Sequence, residues 1–303
     1  MLTISGNFSP LTDFGHVVQQ VVMPIVAKVY DRLIPIGTGF VIAPDGLMMT
    51  AAHVLIEAAR YKVRGKKPDG EFYDYYELYA LYITNEQHEA SNQYTVGGLW
   101  PIDNLWCPNE LDIGFCWLRQ ATHNGKPIFF PVVKLSPGIP KVGEQISGFG
   151  YYNSSSSITN EFINNQIKIK YSHDTAFTRG EILEIYPVLR DNNMLNFPCF
   201  YTDARFEHGM SGGPIFNQAR AVCGVICSGM PPVEEDPRYI SYGSLLWPTM
   251  AAQIEVCIDL TKGVETLLIY DLVKKGYIST DETFKNISIV LAPNGERTVS
   301  IQN

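Results

Sequence analysis

The strongest constraint on the fold is a succession of short apolar segments separated by turn-forming residues. An early group contains IVAKVY, GTGFVI and LMMT, and the last two of these flank the turn sequence Pro44-Asp45-Gly46. A later group contains EQISGFGYY, QIKIKY, EILEIYPVL, CFYTDA, AVCGVICSG and YISYGSLLW. Many short strands with regular turn signals are typical of barrels and sandwiches. Two groups of similar extent therefore predict an all-β protein with two β-barrels.

A connector divides the two groups. Residues 119–141 contain several prolines, which is typical of a boundary between domains. After Trp247 the apolar residues take a helical spacing, so we expect a short, partly helical extension there. The predicted units are an N-terminal segment (1–18), a first barrel (19–124), a linker (125–141), a second barrel (142–249) and a C-terminal extension (250–303).

Between the predicted strands, the composition favours three loops and two short helices. The loops are expected at the basic and polar residues 61–71, at residues 85–104 with their glycines and proline, and at the serine-rich residues 152–160. The spacing of apolar residues predicts a short amphipathic helix over 14–22 and one helical turn over 54–60.

Charge narrows the function classes. The chain has 23 Lys and Arg against 31 Asp and Glu, which gives a formal net charge of -8. Nucleic acids and anionic membranes attract basic surfaces, so neither is expected as a partner. No apolar run reaches the roughly 18 residues that would span a bilayer, and the N-terminus lacks the basic and apolar regions of a signal peptide. We therefore expect a soluble, cytoplasmic protein.

The chain has six cysteines and no CxxC pair: Cys107, Cys116, Cys199, Cys223, Cys227 and Cys257. In a chain of this length they are best explained as buried thiols in a reducing compartment. A zinc site would require closer Cys and His spacing. No metal or organic cofactor is expected.

One stretch has the composition of a nucleophile site: His208-Gly209-Met210-Ser211-Gly212-Gly213-Pro214, followed by the apolar Ile215-Phe216. Glycines allow a sharp turn that can direct several backbone N–H groups toward one point beside the serine hydroxyl. Such an arrangement is an oxyanion hole next to a nucleophile. This interpretation requires a base and an acid elsewhere in the chain, and a serine that merely caps the turn is the alternative.

A histidine held by a buried carboxylate is the usual base for a serine nucleophile. Of six histidines, only His53 directly follows the end of a predicted strand, in Thr50-Ala51-Ala52. Asp112 precedes an apolar strand, and Glu110 is its main rival. His208 is better explained as a residue at the rim of the cleft than as a second base.

The order His53, Asp112, Ser211 and the sequences around them resemble the chymotrypsin-like serine peptidases, and most of all the HtrA/Do-type peptidase domain. The resemblance runs from about Val17 to Trp247. The matching blocks are Gly37-Thr38-Gly39-Phe40-Val41-Ile42, Pro44-Asp45-Gly46, Thr50-Ala51-Ala52-His53-Val54, Leu111-Asp112-Ile113, Thr202-Asp203-Ala204 and Gly209-Met210-Ser211-Gly212-Gly213-Pro214.

The resemblance implies two six-stranded antiparallel barrels with the active site in the cleft between them. It implies that His53 is the general base and then the general acid, that Asp112 orients His53, and that Ser211 is the nucleophile. The N–H groups of Gly209 and Ser211 would form the oxyanion hole.

The chain departs from the secreted members of that family. Their activation pairs a new N-terminal amine with an acid directly before the nucleophile, and Met210 occupies that position here. Val54 stands where those enzymes carry a cysteine. The HtrA-type PDZ domain is not expected either, because residues 248–303 are too few for one. We expect the extension to pack on the second barrel or to engage a partner.

The resemblance also places a specificity pocket. Its walls would be Ala204 to His208 and Ile226 to Gly229, with the substrate paired to Ser228 and Gly229 as an added strand. The pocket residues expected to contact substrate are Arg205, Phe206, His208, Ile226, Cys227, Ser228 and Gly229. An inward Arg205 would favour an acidic residue before the scissile bond, whereas an outward Arg205 would leave an apolar pocket at Phe206.

Three functions are compatible with these features. The first is a serine endopeptidase that cleaves protein or peptide substrates through an acyl-enzyme. The second is a non-catalytic module that holds a peptide in the same cleft. The third is a latent peptidase that a regulatory protein partner switches on, suggested by the missing PDZ domain, the helical extension and the serine-rich stretch.

Overall fold

Two closed antiparallel barrels of six strands each form most of the protein, which confirms the predicted fold class. The structure is a computed structural model. It describes residues 8–10, 17–30, 32–84, 96–108, 111–123, 125–163, 166–230, 239–256, 264–291 and 297–302.

The first barrel is built from strands that precede residue 119. The strands of this part of the chain are β1 (Phe8–Pro10), β2 (Val22–Val29), β3 (Arg32–Val41), β4 (Leu47–Thr50), β5 (Val63–Lys66), β6 (Phe72–Tyr75), β7 (Glu77–Thr84), β8 (Val96–Trp106) and β9 (Gly114–Leu118). The barrel closes in the order β2, β3, β4, β9, β8, β7. A 3₁₀ turn, Val17–Gln20, lies within the region predicted as helix, and the rest of that helix falls outside the described residues or in β2.

Two predicted loops of this barrel are wrong in part. Residues 63–66 and 72–75 pair as a hairpin, β5–β6, around a turn at Gly70, whose φ is 93°. Residues 96–106 form β8, although this strand contains Pro101. A register shift between Asp103 and Leu105, where Asn104 has a φ of 50°, accommodates the irregular sequence. Pairing with β7 and β9 therefore outweighs the local preference for a loop.

The second barrel follows the linker. The strands from the linker onward are β10 (Thr122–His123), β11 (Lys126–Pro127), β12 (Gln145–Ile163), β13 (Gln166–Tyr186), β14 (Cys199–Thr202), β15 (Pro214–Phe216), β16 (Val222–Met230) and β17 (Ile240–Leu245). The sheet runs β13, β12, β15, β16, β17, β14, and the β13–β14 pairing closes it. Strand β1 adds to the outside of β13.

The serine-rich stretch is a strand rather than the expected loop. Strands β12 and β13 continue beyond the barrel as a long hairpin, in which Ser155 pairs with Ser172 and Ser157 with Lys170. A bulge at Asn153, with a φ of 47°, marks where this hairpin leaves the barrel register. Serine has little preference for strands, so the pairing with β13 decides the conformation.

The extension contains two hairpins and little helix. Its elements are a 3₁₀ turn (Trp247–Ala251), β18 (Gln253–Val256), β19 (Glu265–Leu268), α2 (Ile269–Lys274), a second 3₁₀ turn (Glu282–Asn286), β20 (Ile287–Leu291) and β21 (Arg297–Ile301). Strand β18 pairs with β19, and β20 with β21.

The extension packs on more than the second barrel. Leu135 of the linker is bridged to Val222 on one side and to Thr280 of the extension on the other. Buried residues of the extension, such as Ile254 and Ile269, belong to one hydrophobic cluster with the core of the first barrel. The extension therefore supports the linker and the first barrel as well.

The helices are few and short. The first, α1 (Ala52–Ala58), buries Ala52, Val54, Leu55 and Ala58 against the first barrel. Its position agrees with the helical turn predicted over 54–60, two residues earlier. No helix in the described part of the chain has the length and apolar character needed to cross a membrane.

Candidate active site

Helix α1 and the start of β9 bring His53 and Asp112 together. The Nδ1 atom of His53 lies 2.9 Å from each carboxylate oxygen of Asp112. The backbone N–H of His53 also donates to Asp112 Oδ1, at 3.0 Å. The Asp112 side chain is 13% exposed and that of His53 is 47% exposed. A carboxylate at Nδ1 favours the tautomer with its proton there, which leaves Nε2 to accept a proton from a nucleophile.

The turn before Ser211 has the shape that an oxyanion hole requires. Met210 N–H donates to the Glu207 carbonyl at 3.0 Å, and Gly209 has a φ of 98°. This is a type II turn, whose third position needs glycine. Among the described residues, the N–H groups of Gly209 and Ser211 donate to no protein acceptor. Both remain available to a substrate oxygen.

Thr38 of the first barrel holds this turn in place. Its backbone N–H donates to the Ser211 carbonyl at 2.8 Å, and its hydroxyl donates to the Gly209 carbonyl at 2.9 Å. The same hydroxyl accepts a hydrogen bond from Tyr151 N–H at 3.2 Å. Thr38 is fully buried. This role of Thr38 was not predicted from the sequence, although the flanking Gly37 and Gly39 were a signal of close backbone approach.

Gly212 shows how closely the two barrels meet at this point. A Cβ atom at Gly212 would lie 2.1 Å from the Thr38 carbonyl oxygen and 2.1 Å from Thr50 Oγ1. The residue also has a φ of 86°. Only glycine fits both the contact and the backbone angle.

The Ser211 hydroxyl contacts a carbonyl of its own barrel. Its Oγ is 3.5 Å from the Cys227 carbonyl oxygen. No hydrogen bond joins Ser211 Oγ to the His53 ring in the described part of the structure. Catalytic hydrogen bonds are often long without substrate and shorten in the reacting complex. The structure joins the candidate base to its carboxylate and places the serine close by, since a Cβ atom at Gly37 would lie 2.6 Å from Val54 Cγ2 and 3.0 Å from the Ser211 carbonyl oxygen.

Two residues expected at the base of the pocket, Arg205 and Phe206, are engaged by other parts of the protein. Phe206 is 4% exposed and belongs to the hydrophobic cluster inside the second barrel. A Cβ at Gly148 would be 2.7 Å from Phe206 Cε1, and one at Gly229 would be 2.3 Å from the Phe206 carbonyl oxygen. The backbone of Gly229, expected on the opposite wall, therefore touches Phe206.

The charge of Arg205 is paired with that of a neighbouring side chain. Its guanidinium forms an ion pair with Glu207. Its Cζ lies 4.3 Å from the ring centre of Phe8 and 5.2 Å from that of Tyr239. The side chain is 25% exposed. Arg205 is therefore engaged by its own neighbours and does not offer a free positive charge to a substrate.

The other residues expected in the pocket, apart from His208, belong to β16. Ile226 and Cys227 are buried, Ser228 is half-buried, and Gly229 is exposed. The Cys227 thiol donates to the Tyr242 carbonyl at 3.1 Å. Burial, and next the nearby Asp112 carboxylate, raise the pKa of this thiol well above its usual value.

His208 is exposed and borders a separate cleft beside the oxyanion turn. This cleft has a volume of about 190 Å³. It is lined by Pro35, Ile36, Gly37, Asn153, Ser154, Glu207, His208 and Gly209. It lies next to Gly209 and is walled by β3 and by the start of the long hairpin.

Other thiols and carboxylates suggest no second chemistry. Burial raises the pKa of Cys116 to about 12 and that of Cys199 to about 12. The described residues include no group of three or more His, Cys, Asp or Glu side chains that could hold a metal. Cys257 lies outside the described residues.

Comparison with known proteins identifies the family. The sequence model of the trypsin-like peptidase domain matches residues 37–225, more than half of the chain. The chain therefore belongs to the trypsin-like peptidase domain family. A search of curated protein sequences finds no match.

Solved structures with a similar fold include three proteases. The apo MamO protease domain from Magnetospirillum magneticum has 13% identity and a TM-score of 0.43, covering 75% of this chain and 93% of its own. The active form of the Rv3671c protease from M. tuberculosis has 17% identity and a TM-score of 0.42, covering 76% and 78%. Deg5 has 15% identity and a TM-score of 0.44, covering 73% and 83%. At these identities the likeness concerns the fold alone.

Proposed function

We propose that this protein is a serine endopeptidase that cleaves extended protein or peptide substrates through an acyl-enzyme. One observation carries the proposal: a histidine bonded to a carboxylate on the first barrel lies at the same cleft as a type II turn with two unengaged N–H groups beside a serine. A family match alone would not supply this chemistry, because a fold hosts many functions.

The proposed reaction uses these groups in sequence. Ser211 Oγ attacks the scissile carbonyl carbon while His53 Nε2 takes the hydroxyl proton. The carbonyl oxygen becomes an oxyanion and accepts hydrogen bonds from the N–H groups of Gly209 and Ser211. His53 then gives its proton to the leaving amine, which leaves an ester on Ser211. A water molecule, deprotonated by His53, hydrolyses that ester and restores the serine.

Asp112 acts on His53 throughout this sequence. The proton at Nδ1 stays between the two side chains and fixes the ring orientation. When His53 becomes charged, the carboxylate stabilises the imidazolium. The oxyanion hole adds a separate electrostatic contribution, and loss of one donor in such a site costs about 2.7–4 kcal/mol.

Labelling with a fluorophosphonate probe, followed by peptide mapping, tests the proposal. We expect the probe on Ser211 of the wild-type chain, no label on Ser211→Ala, and cleavage of an unfolded protein such as casein only by the wild type. If the wild type binds peptides but takes no label, either alone or after addition of a cell extract, the second candidate, a peptide-binding module, is correct.

The same labelling also addresses latency. We propose that a regulatory protein partner can bring Ser211 toward His53. Label that appears only after addition of a cell extract would support this control, whereas full labelling of the isolated chain would exclude it. A reducing compartment, the cytoplasm, is the proposed location, because the cysteines in the described residues are unpaired thiols.

For specificity we propose a small residue before the scissile bond. Phe206 fills the interior that a large side chain would enter, and Arg205 is paired with Glu207, which argues against a preference for acids. Profiling with a peptide library should show alanine, serine or valine at this position. The Phe206→Ala variant should gain cleavage after leucine or phenylalanine, provided that its melting curve shows a folded protein. An unchanged profile in a folded Phe206→Ala protein would contradict the assignment.

A further inference from the structure

The oxyanion turn is connected to a strand nearly two hundred residues earlier in the chain. Strand β1 pairs with β13 over three positions, with Phe8 opposite Thr178 and Pro10 opposite Ala176. The Phe8 ring packs edge-on against Tyr152 at a centroid distance of 5.5 Å. The centre of the Phe8 ring also lies 4.3 Å from Arg205 Cζ. Phe8 is therefore placed by a strand and fixed by a second aromatic ring.

Arg205 connects Phe8 to the turn. Its Nε donates to Glu207 Oε1, and Glu207 is the first residue of the type II turn. Glu207 is bound to that turn twice more: its carbonyl accepts from Met210 N–H at 3.0 Å, and its own N–H lies 3.4 Å from the Met210 sulfur. Movement of the Glu207 backbone would rotate the next two peptides, which carry the Gly209 N–H.

We propose that β1 acts as a positioning strand for the oxyanion hole, through the contacts Phe8–Arg205–Glu207. Met210 is buried in the second barrel and offers no carboxylate to an ion pair at the position before the nucleophile. The turn is instead fixed by a side-chain ion pair whose cation is covered by aromatic rings. A guanidinium stacked on aromatic faces keeps its orientation, because the ring quadrupole and the carboxylate restrain different sides of it.

The arrangement predicts an effect on turnover rather than on substrate affinity. Phe8, Arg205 and Glu207 lie around the turn, whereas the peptide backbone is expected to pair with Ser228 and Gly229. Loosening the turn weakens the interaction with the oxyanion, which exists only in the transition state. We therefore expect kcat to fall and KM to change little.

The test compares Phe8→Ala, Phe8→Leu and Phe8→Tyr, with Ser9→Ala as the control. Ser9 lies on the same strand and is exposed. On a peptide substrate, Phe8→Ala and Phe8→Leu should lower kcat by about 5- to 30-fold, on the scale of a partly desolvated cation–π contact. Phe8→Tyr, which keeps the aromatic face, and Ser9→Ala should stay within about twofold of the wild type. Inhibition by a peptide aldehyde, whose adduct places an oxyanion in the hole, should weaken in parallel with kcat.

Two results would overturn the proposal. The first is a Phe8→Leu protein as active as Phe8→Tyr, which would show that only apolar volume matters. The second is a loss confined to KM. This inference rests on the proposed function for its kinetics, so hydrogen exchange of the peptide covering residues 205–211 provides a reading that needs no activity. Faster exchange there in Phe8→Ala than in Ser9→Ala supports the positioning strand even if the wild type takes no fluorophosphonate, and equal exchange contradicts it.

Discussion

The two barrels contribute to the candidate site in different ways. On the first barrel, His53 and Asp112 are joined by three contacts between 2.9 and 3.0 Å. On the second barrel, the Ser211 hydroxyl lies 3.5 Å from the Cys227 carbonyl oxygen. The candidate base is thus hydrogen-bonded within the first barrel, whereas the candidate nucleophile contacts a carbonyl of the second barrel.

The two barrels carry these residues on different kinds of element. His53 belongs to a helix with four buried residues, and Asp112 lies two residues before the barrel strand β9. Ser211 instead lies in consecutive turns, with Gly209 and Gly212 both at positive φ. Thr38 of the first barrel holds these turns by hydrogen bonds to the Ser211 and Gly209 carbonyls. The geometry at the serine therefore depends on contacts between the barrels, whereas the His53–Asp112 pair depends on contacts within one barrel.

The largest expected effect comes from disrupting the His53–Asp112 pair of the first barrel. Asp112→Asn should lower kcat by about 10⁴-fold, because the amide favours the wrong histidine tautomer while the geometry is kept. Steady-state kinetics on a peptide substrate measure this loss. Asp103→Asn is the matched control, since Asp103 pairs with Arg119 on the same barrel, at 2.8 Å. Equal activity of Asp112→Asn and Asp103→Asn would show that the His53–Asp112 pair has no catalytic role.

An intermediate effect is expected where the barrels join. Thr38→Val keeps the shape of the side chain but removes the hydroxyl that donates to the Gly209 carbonyl. A buried carbonyl that loses its donor costs about 1–3 kcal/mol. We expect kcat to fall about 10- to 100-fold, with a lower melting temperature.

Thr122→Val, on an exposed position of the short strand β10, provides the comparison for Thr38→Val. It should change neither quantity. If Thr38→Val melts early but turns over normally, the threonine supports only the packing between barrels and not the turn.

The last expected effect concerns stability at low pH rather than turnover and belongs to the second barrel. His173 on β13 packs against the Tyr151 ring at 5.1 Å, and burial lowers its pKa to about 4. In the unfolded chain its pKa is about 6.5, so between pH 6.5 and 4 the unfolded state binds more protons than the folded state. The free energy of unfolding should therefore decrease as the pH falls through this window, by up to about 3 kcal/mol.

Denaturant unfolding at several pH values measures this decrease. The neutral variant His173→Gln should show a flatter dependence between pH 6.5 and 4, and His208→Gln, at an exposed position, should retain the wild-type slope. Parallel curves for His173→Gln and the wild type would assign the acid sensitivity to other groups.

Local sequence was sufficient for much of the site. His53, Asp112 and Ser211 each stand in a short block whose neighbours already determine a strand end or a glycine turn, so their approximate positions follow from nearby residues. The two-barrel fold follows in the same way from strand and turn patterns. The catalytic roles of the three residues remain predictions that the labelling and the Asp112→Asn kinetics test.

What the sequence did not reveal depends on residues far apart in the chain. Nothing near Arg205 indicates that Phe8 will cover it, and nothing near Phe206 decides between the pocket and the barrel interior. The serine run and the stretch around Pro101 have weak strand preferences, and they become strands because a partner strand pairs with them. Tertiary pairing outweighs local preference in both cases.

The contacts of linker residue Leu135 have a consequence for folding during synthesis. Its N–H donates to the Ser279 carbonyl at 2.9 Å, and its carbonyl accepts from Asp281 N–H at 2.8 Å. These partners are translated long after Ser211. When both barrels have just emerged from the ribosome, the chain therefore still lacks the backbone hydrogen bonds that support its linker. The protein that emerges first has all three candidate residues, but it completes the connection between their two barrels only when the extension has followed.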